Sequence, residues 1–133
     1  RFGPWNLPPD WMRIARSSGA LTPAPNFPPR FSFDAVRVPL WLSWAGQAGT
    51  PAGVSIDRFW SSYPPGATPA WVDLRSNELA PYPLTPGMAA IMAVLRQSLG
   101  YPAPPLPPLA AAMKYYDAAL VLLCRLALAQ IAR

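Results

Sequence analysis

Twenty prolines in 133 residues set the first constraint on this chain. Proline fixes φ, lacks a backbone donor, and interrupts both helices and sheet ladders. Its usual share is about 5%, and here it recurs from Pro4 to Pro108, well above that. Only after Pro108 does the chain run to its end without Gly or Pro.

Proline-rich chains are commonly disordered, and such chains are poor in apolar residues and rich in charge. This one is 52% hydrophobic and 13% charged, with six Trp, five Tyr and five Phe. Ordinary domains are roughly 25% charged. A greasy, aromatic, proline-broken chain would expose much apolar surface if it stood alone. The expected fold is therefore a mostly irregular, extended, Pro-rich chain with a few α-helices, at about 9–17, 86–99 and 109–133. No independent compact fold is expected. Residues 1–84 read as an extended interaction segment with short helices. Residues 85–133 read as two helices joined by the PAPPLPP connector, whose stiffness is that of polyproline II.

Local signals support this division. Pro8-Pro9-Asp10 suits a helix start, with Ser17-Ser18-Gly19 as its stop. Residues 31–44, FSFDAVRVPLWLSW, alternate like a strand whose face switches near Asp34-Ala35. Pro39 confines that strand to an edge. Ser55 is placed to cap a short helix through Trp60. Thr85 and Pro86 open the clearest helix, with Met88, Ile91, Met92, Leu95 and Leu99 at helical spacing and Gly100 at its close.

The tail from Leu109 places Lys114, Asp117 and Arg125 on one narrow helical stripe. A membrane span needs about twenty predominantly apolar residues, and Arg125 would sit inside it. The tail is expected to be buried on most of its circumference against neighbouring subunits, at or in a membrane boundary.

The chemistry-bearing residues are sparse. There is no His and one Cys, Cys124, so the commonest base and metal ligand are missing. Asp10, Asp34, Asp57, Asp73, Glu78 and Asp117 show no acid/base spacing and read as caps or arginine partners. No glycine-rich phosphate loop or nucleophile elbow is present. The net charge of +5 comes from scattered Arg, not from the dense clusters that track phosphate. A chain opening on Arg1 fits a processed, imported protein or a fragment.

These readings converge on a non-enzymatic accessory subunit of a large organellar membrane complex, without cofactor or metal. The mitochondrial inner membrane, with its respiratory chain or ATP synthase, is the expected home. A plastid thylakoid photosystem and a ribosomal or RNA-associated particle are the alternatives. Other subunits and lipid are the expected partners, with nucleic acid disfavoured. Trp5, Trp11, Phe31, Phe33, Trp41, Trp44, Trp60, Trp71, Tyr82, Leu120, Leu123 and Arg125 are the expected interaction anchors, because Trp, Tyr and Arg dominate interface energetics.

Overall fold

In the computed structural model, which describes residues 2–132, the prolines punctuate a packed helical unit. Strands β1 (Met12–Ile14) and β2 (Leu21–Pro23) form a hairpin. Strand β3 (Arg30–Phe31) pairs antiparallel with β4 (Val72–Asp73). Between them run a 3-10 turn at Ala35–Arg37 and helices α1 (Val38–Trp44) and α2 (Pro51–Ser61). Helices α3 (Pro86–Ser98) and α4 (Tyr115–Ile131) follow. Helix α3 is the hub and packs on α1, α2 and α4.

One apolar core joins the chain from end to end. Leu7, Phe31, Leu40, Ile56, Trp60, Met88, Ile91 and Val121 belong to it and are each at most 1% exposed. Phe31 meets Phe59 and Trp60 at ring-centroid distances of 6.2 and 5.8 Å. Burying one such side chain contributes about 1.5–3 kcal/mol. This core overturns the expectation of a mostly irregular chain without a compact fold. Three of the prolines start helices instead of breaking them. Pro39, Pro51 and Pro86 each occupy a first-turn position of α1, α2 or α3, where the missing N–H is no loss.

Three further expectations need correction. The stretch at 9–17 is no helix: Met12, Arg13 and Ile14 pair with Pro23, Thr22 and Leu21. All three are exposed, so no buried face exists for a helix to serve. The strand-like stretch at 31–44 is mostly helical. Its buried residues Ala35, Val36, Pro39, Leu40 and Ser43 recur at three- and four-residue spacing, which is a helical stripe. The tail becomes helical only at Tyr115, because Lys114 is still extended (ψ 147°).

Helix α4 buries one stripe, Asp117, Leu120, Val121, Cys124 and Ala127, and leaves Leu122 and Leu126 about half exposed. Its 17 residues reach about 25 Å, short of the ~30 Å hydrocarbon layer. Among the described residues no helix is long and apolar enough to cross a membrane.

Candidate functional site

Sorting the six carboxylates by what holds them isolates one. Asp57 is buried and pairs with Arg96 at 3.0 Å. Asp117 is buried and accepts from the Gly87 N–H at 2.9 Å. Asp73 accepts from the Arg75 and Ser76 N–H groups, both at 2.9 Å, and these bonds hold its carboxyl below the usual range against the opposing effect of burial. Asp10 accepts three backbone N–H bonds through Oδ1. Its carboxyl is pushed up, because burial outweighs those bonds. Glu78 is exposed beside β4.

Asp34 differs from all of these. It is the residue at which the Ala35–Arg37 turn begins, yet its side chain makes no capping hydrogen bond. Its Oδ1 instead accepts from Nη2 of Arg37, while Nε of Arg37 donates to the Asp34 carbonyl at 3.4 Å. Both side chains remain more than two-fifths exposed. A helical offset of three brings the two side chains together.

The surroundings of Asp34 come from three separate parts of the chain. Asp10, in the entry segment, bonds the Asp34 N–H at 3.2 Å. Tyr116, in the first turn of α4, donates its hydroxyl to the Phe33 carbonyl at 2.7 Å. The Tyr116 ring meets that of Phe33 edge to face at 5.9 Å. Burial pushes the Tyr116 hydroxyl up to about 12, with Asp117, Asp34 and Asp10 adding to the rise and Arg37 opposing it. Phe33 is 42% exposed, so an apolar ring stands open next to Asp34 in the chain. One turn beyond Arg37, Trp41 is also half exposed and stacks on Trp44 at 5.9 Å. No cluster of three or more potential metal ligands occurs among the described residues. A cavity of about 580 Å³, lined by Tyr63, Thr68, Met92, Arg96 and Pro102 among others, has no carboxylate in its wall.

The residues expected to anchor partners take several positions. Phe31, Trp60, Trp71 and Leu120 are buried in the chain's own core. Trp5 packs edge to face on Phe59 at 5.4 Å. Trp44 donates Nε1–H to Gln130 at 2.7 Å, and Leu123 lies against the core. Trp11 stacks on Phe27 at 4.8 Å with half its surface open. Tyr82 is exposed, with its hydroxyl 3.2 Å from Nε1 of Trp71. Arg125 is exposed and donates to the Pro107 carbonyl at 3.3 Å. Of these, Phe31, Phe33 and Trp41 are near Asp34 in sequence, and of the three Phe33 and Trp41 stay exposed. The sequence did carry a signal for this site, an Asp and an Arg three residues apart behind an aromatic. A strand over 31–44 would hide it, because in a strand residues 34 and 37 face opposite sides.

Comparison with known proteins gives a consistent result. The family model described as glycosyl hydrolases family 8 matches residues 1–130. A protein of Novacetimonas hansenii described as a probable endoglucanase is 43% identical over 131 residues, covering 98% of this chain and 37% of its own length. An endoglucanase of Cellulomonas uda is 40% identical over 91 residues, covering 68% of this chain and 24% of its own. Among solved structures, the endo-beta-1,4-glucanase CMCax from Acetobacter xylinum superposes with a TM-score of 0.88 at 40% identity. That match covers 100% of this chain and 41% of the other. The endoglucanase Cel10 from Klebsiella pneumoniae gives 0.82 at 38% identity, covering 99% and 40%. The chain thus spans about two fifths of the length of the solved relatives.

These matches are to enzymes. They overturn the expectation of a non-enzymatic accessory subunit in a mitochondrial respiratory complex or ATP synthase. The plastid and ribosomal alternatives fall with it, as does placement in the mitochondrial inner membrane or the thylakoid. Apolar composition misled because the aromatics and leucines serve an internal core, which composition does not distinguish from an interface.

Proposed function

The chain belongs to glycosyl hydrolase family 8, and from that premise we propose that Asp34 is one of the two carboxyl groups of a site that hydrolyses β-1,4-linked glucan. Glycoside hydrolysis ordinarily uses two carboxyls on opposite sides of the scissile bond. One donates a proton to the leaving oxygen; the other acts ionised, as base toward water or as nucleophile. A carboxylate held by a guanidinium suits the ionised role. Asp34 is the carboxylate that combines exposure, an arginine partner and a neighbouring open aromatic ring, and this combination carries the proposal.

Each neighbour then has a task. Arg37 orients the Asp34 carboxylate toward the open side. Tyr116 clamps the Phe33 carbonyl and so holds the backbone that carries Asp34. Phe33, and Trp41 beyond it, offer apolar faces against which the C–H faces of sugar rings pack, as in other aromatic-lined sites. The proton-donating carboxyl is assigned to the part of the relatives' length that these 133 residues do not cover. Asp10, Asp57, Asp73 and Asp117 are each held by hydrogen bonds within the fold.

The test is Asp34→Asn in protein expressed from the full-length gene, assayed by reducing ends released from a soluble β-1,4-glucan. General acid–base groups contribute about 10²–10⁴ in rate, so a loss of that size with an unchanged melting temperature is expected. Retention of activity within a few-fold would remove Asp34 from the chemistry.

A further inference from the structure

We infer that Asp10 is a positioning residue that caps the first helical turn carrying Asp34, and thereby fixes the direction of the Asp34 carboxylate. The inference rests on the role proposed for Asp34. Asp at a helix N-cap normally turns its carboxylate back onto the N–H of the second or third helical residue. Asp34 stands before Ala35–Arg37 and α1 but already has helical backbone (φ −93°, ψ −51°), its side chain makes no capping bond, and the N–H groups of Val36 and Arg37 donate to the Ser32 and Asp34 carbonyls at 2.9 and 3.2 Å. The capping is supplied from 24 residues upstream. Oδ1 of Asp10 accepts from the N–H of Ser32 at 3.0 Å, Asp34 at 3.2 Å and Ala35 at 2.7 Å.

One oxygen atom therefore gathers three donors of the turn that carries Asp34. Asp10 is itself fastened, since its N–H donates to the Arg30 carbonyl at 2.7 Å. Pro9, immediately before it, is buried, which restricts the backbone on the other side. The arrangement separates two tasks that one aspartate cannot perform together. A carboxylate engaged on its own helix N-terminus is turned away from solvent and from substrate. Moving the capping to Asp10 leaves Asp34 facing Arg37 and open space. Without Asp10, the N–H groups of Ser32, Asp34 and Ala35 lose the acceptor that fixes this turn.

The experiment compares Asp10→Ala, Asp10→Asn and the parent, all expressed at the full length of the gene. Expected for Asp10→Ala is a fall in kcat of at least ten-fold with KM within about three-fold. Asp10→Asn keeps an acceptor oxygen in place and is expected to restore kcat to within about three-fold of the parent. A crystal structure of Asp10→Ala should show the Ser32–Ala35 backbone shifted, with the Asp34 carboxylate drawn away from the Arg37 guanidinium. This readout is independent of turnover. If the parent itself hydrolyses no β-glucan, the functional reading fails, and the Asp34 orientation in the variant still decides the capping claim. Unchanged kcat in Asp10→Ala, or an Asp34 side chain that stays on Arg37, overturns the inference. So does a loss of kcat that Asp10→Asn fails to rescue and that follows a fall in melting temperature, since that pattern marks a purely structural residue.

Discussion

The N–H of Gly87 donates to Oδ1 of Asp117 at 2.9 Å, tying the first turn of α3 to the first turn of α4. The approach is so close that a Cβ on Gly87 would lie 2.8 Å from the Asp117 Cα and 3.0 Å from the Leu120 Cβ. Backbone and a packed Cβ cannot yield without moving the helices apart. Overpacking of this kind costs about 1–3 kcal/mol. Gly87→Ala is expected to lower stability by that amount in urea unfolding, although Ala is the better helix former. A change below roughly 0.5 kcal/mol, the ordinary range for surface substitutions, would mean that α3 and α4 do not meet here.

Because Asp117 caps α3, Thr85 has little left to do. Thr85 is at the N-cap position but makes no side-chain capping bond, and its hydroxyl oxygen is buried without a partner. Removing a Thr cap usually costs about 1 kcal/mol. An unpaired buried hydroxyl gives the opposite expectation, since desolvating it is unfavourable. Thr85→Val should leave the melting temperature unchanged or raise it. A drop of several degrees would show that the hydroxyl does cap the helix in solution.

Cys124 gives a pH dependence with a definite sign. Burial pushes its thiol from 9.0 up to about 12. A thiol held protonated in the folded state contributes stability that is fully present below the unfolded pKa. That stability is lost as pH rises from about 9 toward 12. Tyr116, raised by burial from 10.0 to about 12, acts in the same direction. Unfolding free energy should therefore fall across this window, and Cys124→Ala should remove part of the slope. The native thiol should also resist a disulfide reagent at pH 8 and react only after unfolding. Rapid modification of native protein would place Cys124 outside the core.

The helix at Pro86–Ser98 was legible because its signals are local. Thr85-Pro86 sets its start, apolar residues recur at helical spacing, and Gly100 accepts the left-handed conformation (φ +78°) that closes it. There the N–H of Tyr101 bonds the Arg96 carbonyl at 2.9 Å and that of Gly100 bonds the Gln97 carbonyl at 3.0 Å, a closure built entirely from neighbours in sequence. The proline starts of α1 and α2 are equally local, although proline by itself signals a start and a break alike.

The site was only partly legible: the Asp–Arg spacing behind Phe33 is local, but what holds Asp34 in place lies elsewhere in the chain. Its N–H is held by Asp10, and the clamp on its backbone comes from Tyr116. By sequence alone Asp34 is one of six scattered carboxylates, each equally fit to be a cap. Composition, turn chemistry and helical spacing act over a few residues, and these the chain itself determined. How Asp34 is held, exposed beside an arginine and an open aromatic ring, depends on contacts 24 to 83 residues apart. Only the packing of α4 and the entry segment around the Ser32–Ala35 turn decides that.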